Sequence, residues 1–195
     1  TSETDTLLKK HAVRTLLYYD IFNYPLTSTE VFRFLGMNSI TEKDVLVALN
    51  TLVEDSIVYR LEDFYSVQPP ESIVQRRKEG NRGAENMYKL AAAKAACISK
   101  FPFVRAVLAS GSLSKGYMDE KSDLDFFVVT APKRLWIART LLVGYKRFFL
   151  SNSHKYFCVN YLVDEDHLEI EEKNLFTATE LATALPLYGS QYYER

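Results

Sequence analysis

Two apolar runs joined by a short loop decide the fold of this chain: residues 104–112 read VRAVLASGS, and residues 122–130 read SDLDFFVVT. Each run has the length and the apolar composition of a buried strand, and the first ends in a Ser-Gly-Ser turn. Residues two apart on a strand point the same way, so a strand that begins at Asp123 would place the carboxylates of Asp123 and Asp125 on one face. We therefore predict two neighbouring strands with an acidic pair and a glycine turn.

The acidic pair predicts a cation site. Two carboxylates this close repel each other, and a positive charge between them removes that cost. Mg²⁺, or Mn²⁺ in its place, prefers such oxygen ligands. Gly111 permits backbone conformations that other residues resist, and the amides of residues 110–113 open a helical turn that can hold a phosphate. Together these features predict a site for a metal-bound polyphosphate.

The spacing of these residues resembles the signature of the DNA polymerase beta-type nucleotidyltransferase superfamily. That signature is Gly-Ser or Gly-Gly, a spacer, and Asp-x-Asp on a strand. Here Gly111-Ser112 is followed by ten residues and then by Asp123-Leu124-Asp125. Residues 122–125 are similar to the small bacterial members, which include antibiotic nucleotidyltransferases and antitoxin-type minimal nucleotidyltransferases. The resemblance covers roughly residues 101–175.

The resemblance implies that a nucleoside monophosphate moves from a nucleoside triphosphate to an acceptor, by a two-metal mechanism that releases pyrophosphate. Asp123 and Asp125 would be the catalytic and metal-binding residues. The expected nucleotide contacts are Ser110, Gly111, Ser112 and Lys115, and for Lys115 plain solvent exposure is the open alternative. The acceptor is left open between a small molecule, a protein and an RNA.

The third acidic residue of the superfamily, carried by the strand after the next helix, has no obvious counterpart. Residues 157–162 read FCVNYL, and their central polar residue is Asn160. An asparagine can offer a carbonyl oxygen to a metal but cannot accept a proton as a base. Three alternatives remain open: Glu169 or Glu171 supplies the carboxylate, the aspartate pair suffices, or the domain binds a nucleotide without transferring it.

Residues 1–68 are predicted to form three helices and a hairpin, an order that resembles a winged helix. Apolar residues at helical spacing mark the first helix, capping-box patterns at Thr27 and Thr41 begin the next two, and residues 57–67 read as the hairpin. The buried stripe of the first helix is predicted at Leu8, Ala12, Leu16 and Tyr19.

DNA is not an expected partner of this segment. The third helix would read the bases, and affinity for DNA comes largely from neutralising phosphates. Residues 42–55 carry one basic side chain, Lys43, against Glu42, Asp44, Glu54 and Asp55. We therefore expect a packing or partner-docking module.

Gln68-Pro69-Pro70 predicts a domain boundary, residues 69–100 a connecting helix, and residues 101–195 the catalytic domain. Gly80 and Gly83 weaken the first half of that helix. The basic cluster Arg76, Arg77, Lys78 and Arg82 is either a solvated helix face or a contact for a triphosphate or polyanionic substrate. We leave both alternatives open.

Composition sets the remaining bounds. The chain has 195 residues and a formal net charge of −1, so no global basic field attracts nucleic acid. The apolar segment 135–150 carries Arg139, Lys146 and Arg147, so it is not a membrane span and no membrane partner is expected. We predict an α+β, cytoplasmic enzyme, and we leave open whether the chain is a fragment of a longer protein. The alternative is a catalytically weak nucleotidyltransferase fold fused to a winged helix, acting as an antitoxin or a DNA-binding regulator.

Overall fold

The computed structural model describes residues 2–150, 155–168, 170 and 174–193. The chain is a mixed α+β protein that divides into two compact units, Thr1–Lys78 and Glu79–Arg195. The division falls within a single long helix, α4, at Glu71–Ile98.

The N-terminal unit consists of three helices and a small antiparallel sheet. Its helices are α1 (Ser2–Asp20), α2 (Ser28–Phe34) and α3 (Glu42–Glu54). Its strands are β1 (Leu26–Thr27), β2 (Tyr59–Leu61) and β3 (Phe64–Ser66), in the order β1-β3-β2.

Local sequence signals predicted the helices of this unit correctly. The four apolar residues predicted for the α1 stripe are all buried. Thr27 and Thr41 both form capping boxes, in which the threonine side chain accepts from the third helical N–H and the acidic side chain at that position accepts from the threonine N–H. The winged-helix assignment itself stays a prediction.

Arg77 is part of the core of this unit, which neither alternative for the basic cluster anticipated. Its side chain is only 5% exposed, and its guanidinium donates to Glu30 Oε1 at 2.6 Å and to the carbonyl of Pro25 at 2.8 Å. The guanidinium carbon also lies 3.8 Å from the centre of the Tyr24 ring. Arg77 therefore stabilises the N-terminal unit, because a buried guanidinium needs such partners.

The C-terminal unit is built on a four-stranded sheet in the order β6-β5-β4-β7. Its strands are β4 (Val104–Ser110), β5 (Asp125–Thr130), β6 (Cys158–Asp164) and β7 (Leu185–Tyr188). β4 is antiparallel to β5 and β7, whereas β5 and β6 are parallel. Besides α4, the helices are α5 (Gly111–Ser114), α6 (Leu135–Phe149), α7 (Leu175–Thr183) and a 3₁₀ turn (Ser190–Tyr192).

The two faces of this sheet carry different cores. Phe126 and Val128 belong to the larger core, which includes Leu142 of α6 and alanines of α4. Phe127 and Val129 face the other side, in a smaller core with residues of β4 and β6. Because side chains alternate along a strand, Asp125 lies on the same face as Phe127, away from α6.

The structure differs from the strand predictions at two places. β5 begins at Asp125, so Asp123 precedes the strand instead of opening it. α6 begins at Leu135, just after Lys133, whose φ of 60° is incompatible with a helix. β7 was not predicted, and it pairs with β4 at the edge of the sheet.

The glycines of α4 allow a loop to pack directly on the helix. The N–H of Met118 donates to the carbonyl of Gly80 at 2.8 Å. A Cβ at Gly83 would lie 2.2 Å from the carbonyl oxygen of Met118, and one at Gly80 would lie 2.2 Å from the ring of Tyr117. The loop between β4 and β5 therefore approaches α4 only because both positions lack a side chain.

Candidate functional site

The turn after β4 lies directly beside the first residue of β5. Ser110, the last residue of β4, is the strand partner of Asp125. Gly111 follows with a φ of +67°, and a Cβ there would lie 2.4 Å from Oδ2 of Asp125. Only glycine suits this position, because it avoids both the left-handed strain and the clash. The structure thus brings together the glycine turn and the second aspartate of the predicted pair.

The carboxylate of Asp125 is in an unfavourable environment for a negative charge. Burial is the main reason that its pKa is raised, and the negative charges of Asp123 and Glu180 raise it further. A hydrogen bond with Cys158 and the positive charge of Lys115 act in the opposite direction. Bound positive charge would therefore stabilise the ionised form of this aspartate.

A carboxylate from α7 already binds the glycine turn. The N–H of Gly111 donates to Oε2 of Glu180 at 2.8 Å. The other oxygen of Glu180 pairs with the ammonium of Lys115, which also donates to the carbonyl of Gly111 at 3.2 Å. Two of the groups that were expected to contact phosphate therefore hold a protein anion, and Lys115 is not simply solvated.

Glu180 is the main site residue that the sequence did not reveal. Residues 177–180 read TATE, which predicts a capping box that begins a helix. In the structure the cap is Asn174, whose Oδ1 accepts from the N–H of Thr177 at 2.8 Å, and Glu180 lies within α7. No local signal places α7 beside a turn that is 69 residues earlier in the chain.

The two serines of the turn have different surroundings. Ser110 is buried, and among the described residues its hydroxyl has no hydrogen-bond partner. Because Ser110 and Asp125 are paired across antiparallel strands, their side chains share one face of the sheet. Ser112 is half-buried within α5, and its carbonyl accepts from the N–H of Tyr117 at 3.0 Å. An unpartnered buried hydroxyl on the face of the aspartate points to a bound polar group.

Cys158, not Asn160, is the residue of β6 beside Asp125. Asp125 pairs with Cys158 and Phe126 with Val159, but Phe127 pairs with Tyr161, so Asn160 is the extra residue of a bulge and is exposed. Burial and the neighbouring Asp125 raise the pKa of the Cys158 thiol to about 11. This thiol therefore donates to the carboxylate and keeps its proton at neutral pH.

Glu169 and Glu171, the other candidates for a third carboxylate, lie outside the described residues. Within the part of the chain that the structure describes, no cluster of three or more His, Cys, Asp or Glu side chains is arranged to hold a metal ion. The oxygen donors of Asp123 and Asp125 nevertheless suit a hard divalent cation, since their charges are mutually destabilising without one.

An open cleft of about 380 Å³ borders the same turn on the side of α4. Its lining includes Asn81, Glu85 and Tyr88 of α4 together with Leu113, Ser114 and Gly116. This volume is within the range of sites that bind small molecules. The turn therefore adjoins Asp125 and also borders a cleft whose lining includes polar and aromatic residues.

Comparison with known proteins finds a family match for part of the chain. Residues 90–179 match the family described as nucleotidyltransferase domain. The match includes Gly111, Ser112, Asp123 and Asp125, and it ends immediately before Glu180. No curated protein matches the chain, and no solved structure does so either.

Proposed function

We propose that this chain, whose residues 90–179 belong to the polymerase beta-type nucleotidyltransferase superfamily, transfers a nucleoside monophosphate from a nucleoside triphosphate to an acceptor hydroxyl or phosphate. Pyrophosphate leaves as the bond between the α- and β-phosphates breaks. The observation that carries the proposal is the contact between Gly111 and Asp125. There, a turn whose N–H binds an anion adjoins a carboxylate whose negative charge is unfavourable without a bound cation.

The turn supplies the phosphate contacts in this proposal. The Gly111 amide and the Lys115 ammonium bind the Glu180 carboxylate in the free protein, so both donors are already oriented toward an oxyanion. The triphosphate takes over these donors, and the buried hydroxyl of Ser110 and the hydroxyl of Ser112 complete the set. Displacement of Glu180 is therefore part of substrate binding.

Asp123 and Asp125 would hold the divalent cation, Mg²⁺ or Mn²⁺. When bound, such a cation neutralises charge that develops on the phosphates and orients the leaving group. Cys158 supports this role, because its hydrogen bond to Asp125 favours the ionised carboxylate. Glu180 lies close enough to Asp125 to raise its pKa, so once displaced from the turn it can accept the proton of an acceptor hydroxyl, which Asn160 cannot do.

Pyrophosphate release from each of the four nucleoside triphosphates tests the proposal, measured with Mg²⁺ and a panel of small-molecule, protein and RNA acceptors. We expect release with at least one pair, and a loss of about 100-fold or more in Asp125→Asn. Asp63→Asn, an exposed charge-matched change in the N-terminal unit, should retain the activity. Equal rates in the wild type and Asp125→Asn would contradict the proposal.

For the N-terminal unit we propose a winged-helix-like docking module rather than a DNA reader. α3 exposes Leu46 and Val47 beside the acidic residues Glu42 and Glu54, a surface that repels phosphates. In a mobility-shift measurement at physiological salt, we expect no retention of duplex DNA. Salt-sensitive retention of duplex DNA that is lost on changing Lys43 would show that this unit binds DNA.

A further inference from the structure

Helix α6 exposes a large apolar surface that neither core of the C-terminal unit uses. Trp136, Phe148 and Phe149 are 71%, 81% and 75% exposed. Ile137, Leu141 and Val143 are exposed as well. Trp136, Ile137, Leu141, Val143 and Phe148 are together called the α6 outer face. Phe149 instead stacks on Tyr145, a residue packed against the larger core, with ring centres 5.3 Å apart. Groups of large exposed apolar side chains often mark interaction sites, so the α6 outer face indicates an interaction surface.

Basic residues are interspersed along the segment that carries this face. Residues 131–150 include Lys133, Arg134, Arg139, Lys146 and Arg147, and they contain no Asp or Glu. The net charge of the whole chain is −1, so this positive charge is local. The guanidinium of Arg139 lies 5.4 Å from the centre of the Trp136 ring, which places a charge directly beside an exposed aromatic. The partner must therefore offer both negative charge and apolar material.

The α6 outer face is separate from the proposed active site. α6 packs through Leu142 on the sheet face that carries Phe126 and Val128. Asp125 lies on the opposite face, with Phe127. A ligand on α6 therefore does not need to be the acceptor of the transfer reaction.

The helix is suited to lie on a bilayer and not to cross one. α6 has 15 residues, which at about 1.5 Å per residue span less than the hydrocarbon core of about 30 Å. Among the described residues, the structure contains no helix with the length and apolarity that crossing a membrane requires. Aromatic and aliphatic side chains flanked by Lys and Arg are instead typical of helices at the lipid–water interface.

We propose that the α6 outer face docks on an anionic lipid bilayer. Trp136 and Phe148 enter the boundary between headgroups and acyl chains, and the flanking basic residues contact lipid phosphates. Ile137, Leu141 and Val143 favour lipid over nucleic acid, because aliphatic side chains gain little from phosphates or stacked bases. This inference goes beyond the proposed function and does not depend on it.

The single tryptophan of the chain, Trp136, makes the test specific. Its fluorescence is recorded while the full chain is titrated with vesicles of phosphatidylcholine alone or with about 30% phosphatidylglycerol. We expect a blue shift and co-sedimentation with the anionic vesicles only, weakened at least tenfold by raising the salt from about 0.05 to 0.5 M. Equal binding to both vesicle types, or to neither, would overturn the proposal.

A matched pair of variants distinguishes binding through the α6 outer face from non-specific hydrophobic adsorption. Phe148→Ser should weaken binding to anionic vesicles at least tenfold, since the variant loses the burial of an aromatic side chain. Ile21→Ser, at a residue that is 73% exposed in the N-terminal unit, should leave the binding unchanged. Circular dichroism verifies that both variants fold, and equal effects of the two changes would contradict the assignment.

Two competing occupants are distinguished in the same samples. A blue shift that depends on protein concentration without vesicles, accompanied by a dimer in sedimentation velocity, would show that a second copy of the chain covers the face. Salt-sensitive binding of an RNA oligonucleotide that Phe148→Ser abolishes would show a nucleic-acid surface. Either result would overturn the lipid proposal.

Discussion

Gly111 is the residue at which the turn contacts Asp125, and replacing it tests whether nucleotide binding depends on this contact. In Gly111→Ala, the new Cβ would lie 2.4 Å from Oδ2 of Asp125, so the turn or the carboxylate has to move. We expect affinity for a nucleoside triphosphate with Mg²⁺ to fall at least tenfold in isothermal titration calorimetry.

Gly116→Ala is the matched control for this change. Gly116 has a φ of +68°, and a Cβ added there would meet nothing within 4 Å, so this variant carries the same left-handed backbone strain, about 1–2 kcal/mol, without the clash. Similar losses of affinity in the two variants would show that the contact with Asp125 is irrelevant to binding.

Glu180 is expected to compete with phosphate and also to assist transfer. In Glu180→Gln the carboxylate that pairs with Lys115 and accepts from the Gly111 N–H becomes a neutral amide. Inorganic tripolyphosphate should therefore bind several-fold more tightly without metal, because it no longer competes with a protein anion. Pyrophosphate release should nevertheless fall, because an amide cannot accept the acceptor proton. Weaker tripolyphosphate binding in this variant would contradict the competition.

The Cys158 thiol offers a readout of the charge on Asp125. A pKa of about 11 leaves the thiol protonated at pH 8, so its alkylation should be about 100-fold slower than for a thiol at the ordinary value of 9.0, and should speed up as the pH rises toward 11. Asp125→Asn removes a hydrogen-bond partner and charge that raise this pKa, so alkylation at pH 8 should become faster.

Iodoacetamide labelling followed by peptide mass spectrometry measures these rates, and Cys97 in the same sample corrects for reagent activity. An unchanged Cys158 rate in Asp125→Asn would show that the two side chains do not interact in solution.

At the scale of elements, α4 shows that a helical glycine can be required for packing. Replacing glycine by alanine inside a helix normally stabilises by about 1 kcal/mol. Gly83→Ala should instead destabilise by about 1–3 kcal/mol, because its Cβ would lie 2.2 Å from the backbone oxygen of Met118. Gly144→Ala in α6, with nothing within 4 Å, should follow the normal rule.

Urea unfolding of both variants gives the two free-energy changes. A gain in stability for Gly83→Ala would mean that the loop carrying residues 117–118 does not pack on α4 as closely as the structure has it.

Sequence reasoning succeeded for elements where the deciding interactions are local. Thr27 and Thr41 were predicted as caps because a capping box needs only four consecutive residues. β4 and the core of β5 were recognisable because a strand buried on both faces reads as a continuous apolar run. These signals depend on neighbours in sequence, and the tertiary fold did not override them.

Pairing between distant segments could not be predicted in this way. β7 has four residues and includes Pro186, so nothing in its sequence indicates a strand until it pairs with β4. The bulge at Asn160 shifts the register of β6 by one residue, and Cys158, not Asn160, pairs with Asp125. Glu180 was missed for the same reason, since α7 reaches the turn only through the tertiary fold.

At the scale of the whole molecule, the residues of the candidate site belong to one of the two units. The turn after β4, the start of β5 and α7 all lie within Glu79–Arg195, whereas buried Arg77 stabilises the unit Thr1–Lys78. The α6 outer face belongs to the same unit as the site but lies on the other side of the sheet. The proposed chemistry and the proposed lipid contact are thus separable by substitution within a single unit.

The proposed transfer requires Asp123 and Asp125 to bind a triphosphate through a divalent cation. The most direct measurement is calorimetric titration of the full chain with a non-hydrolysable nucleoside triphosphate, with Mg²⁺ and with EDTA, for the wild type and for Asp123→Asn/Asp125→Asn. We predict binding that requires Mg²⁺ in the wild type and is lost in the double variant, whereas Asp63→Asn behaves as the wild type. Equal affinity in the wild type and the double variant, or binding that Mg²⁺ does not change, would contradict the account.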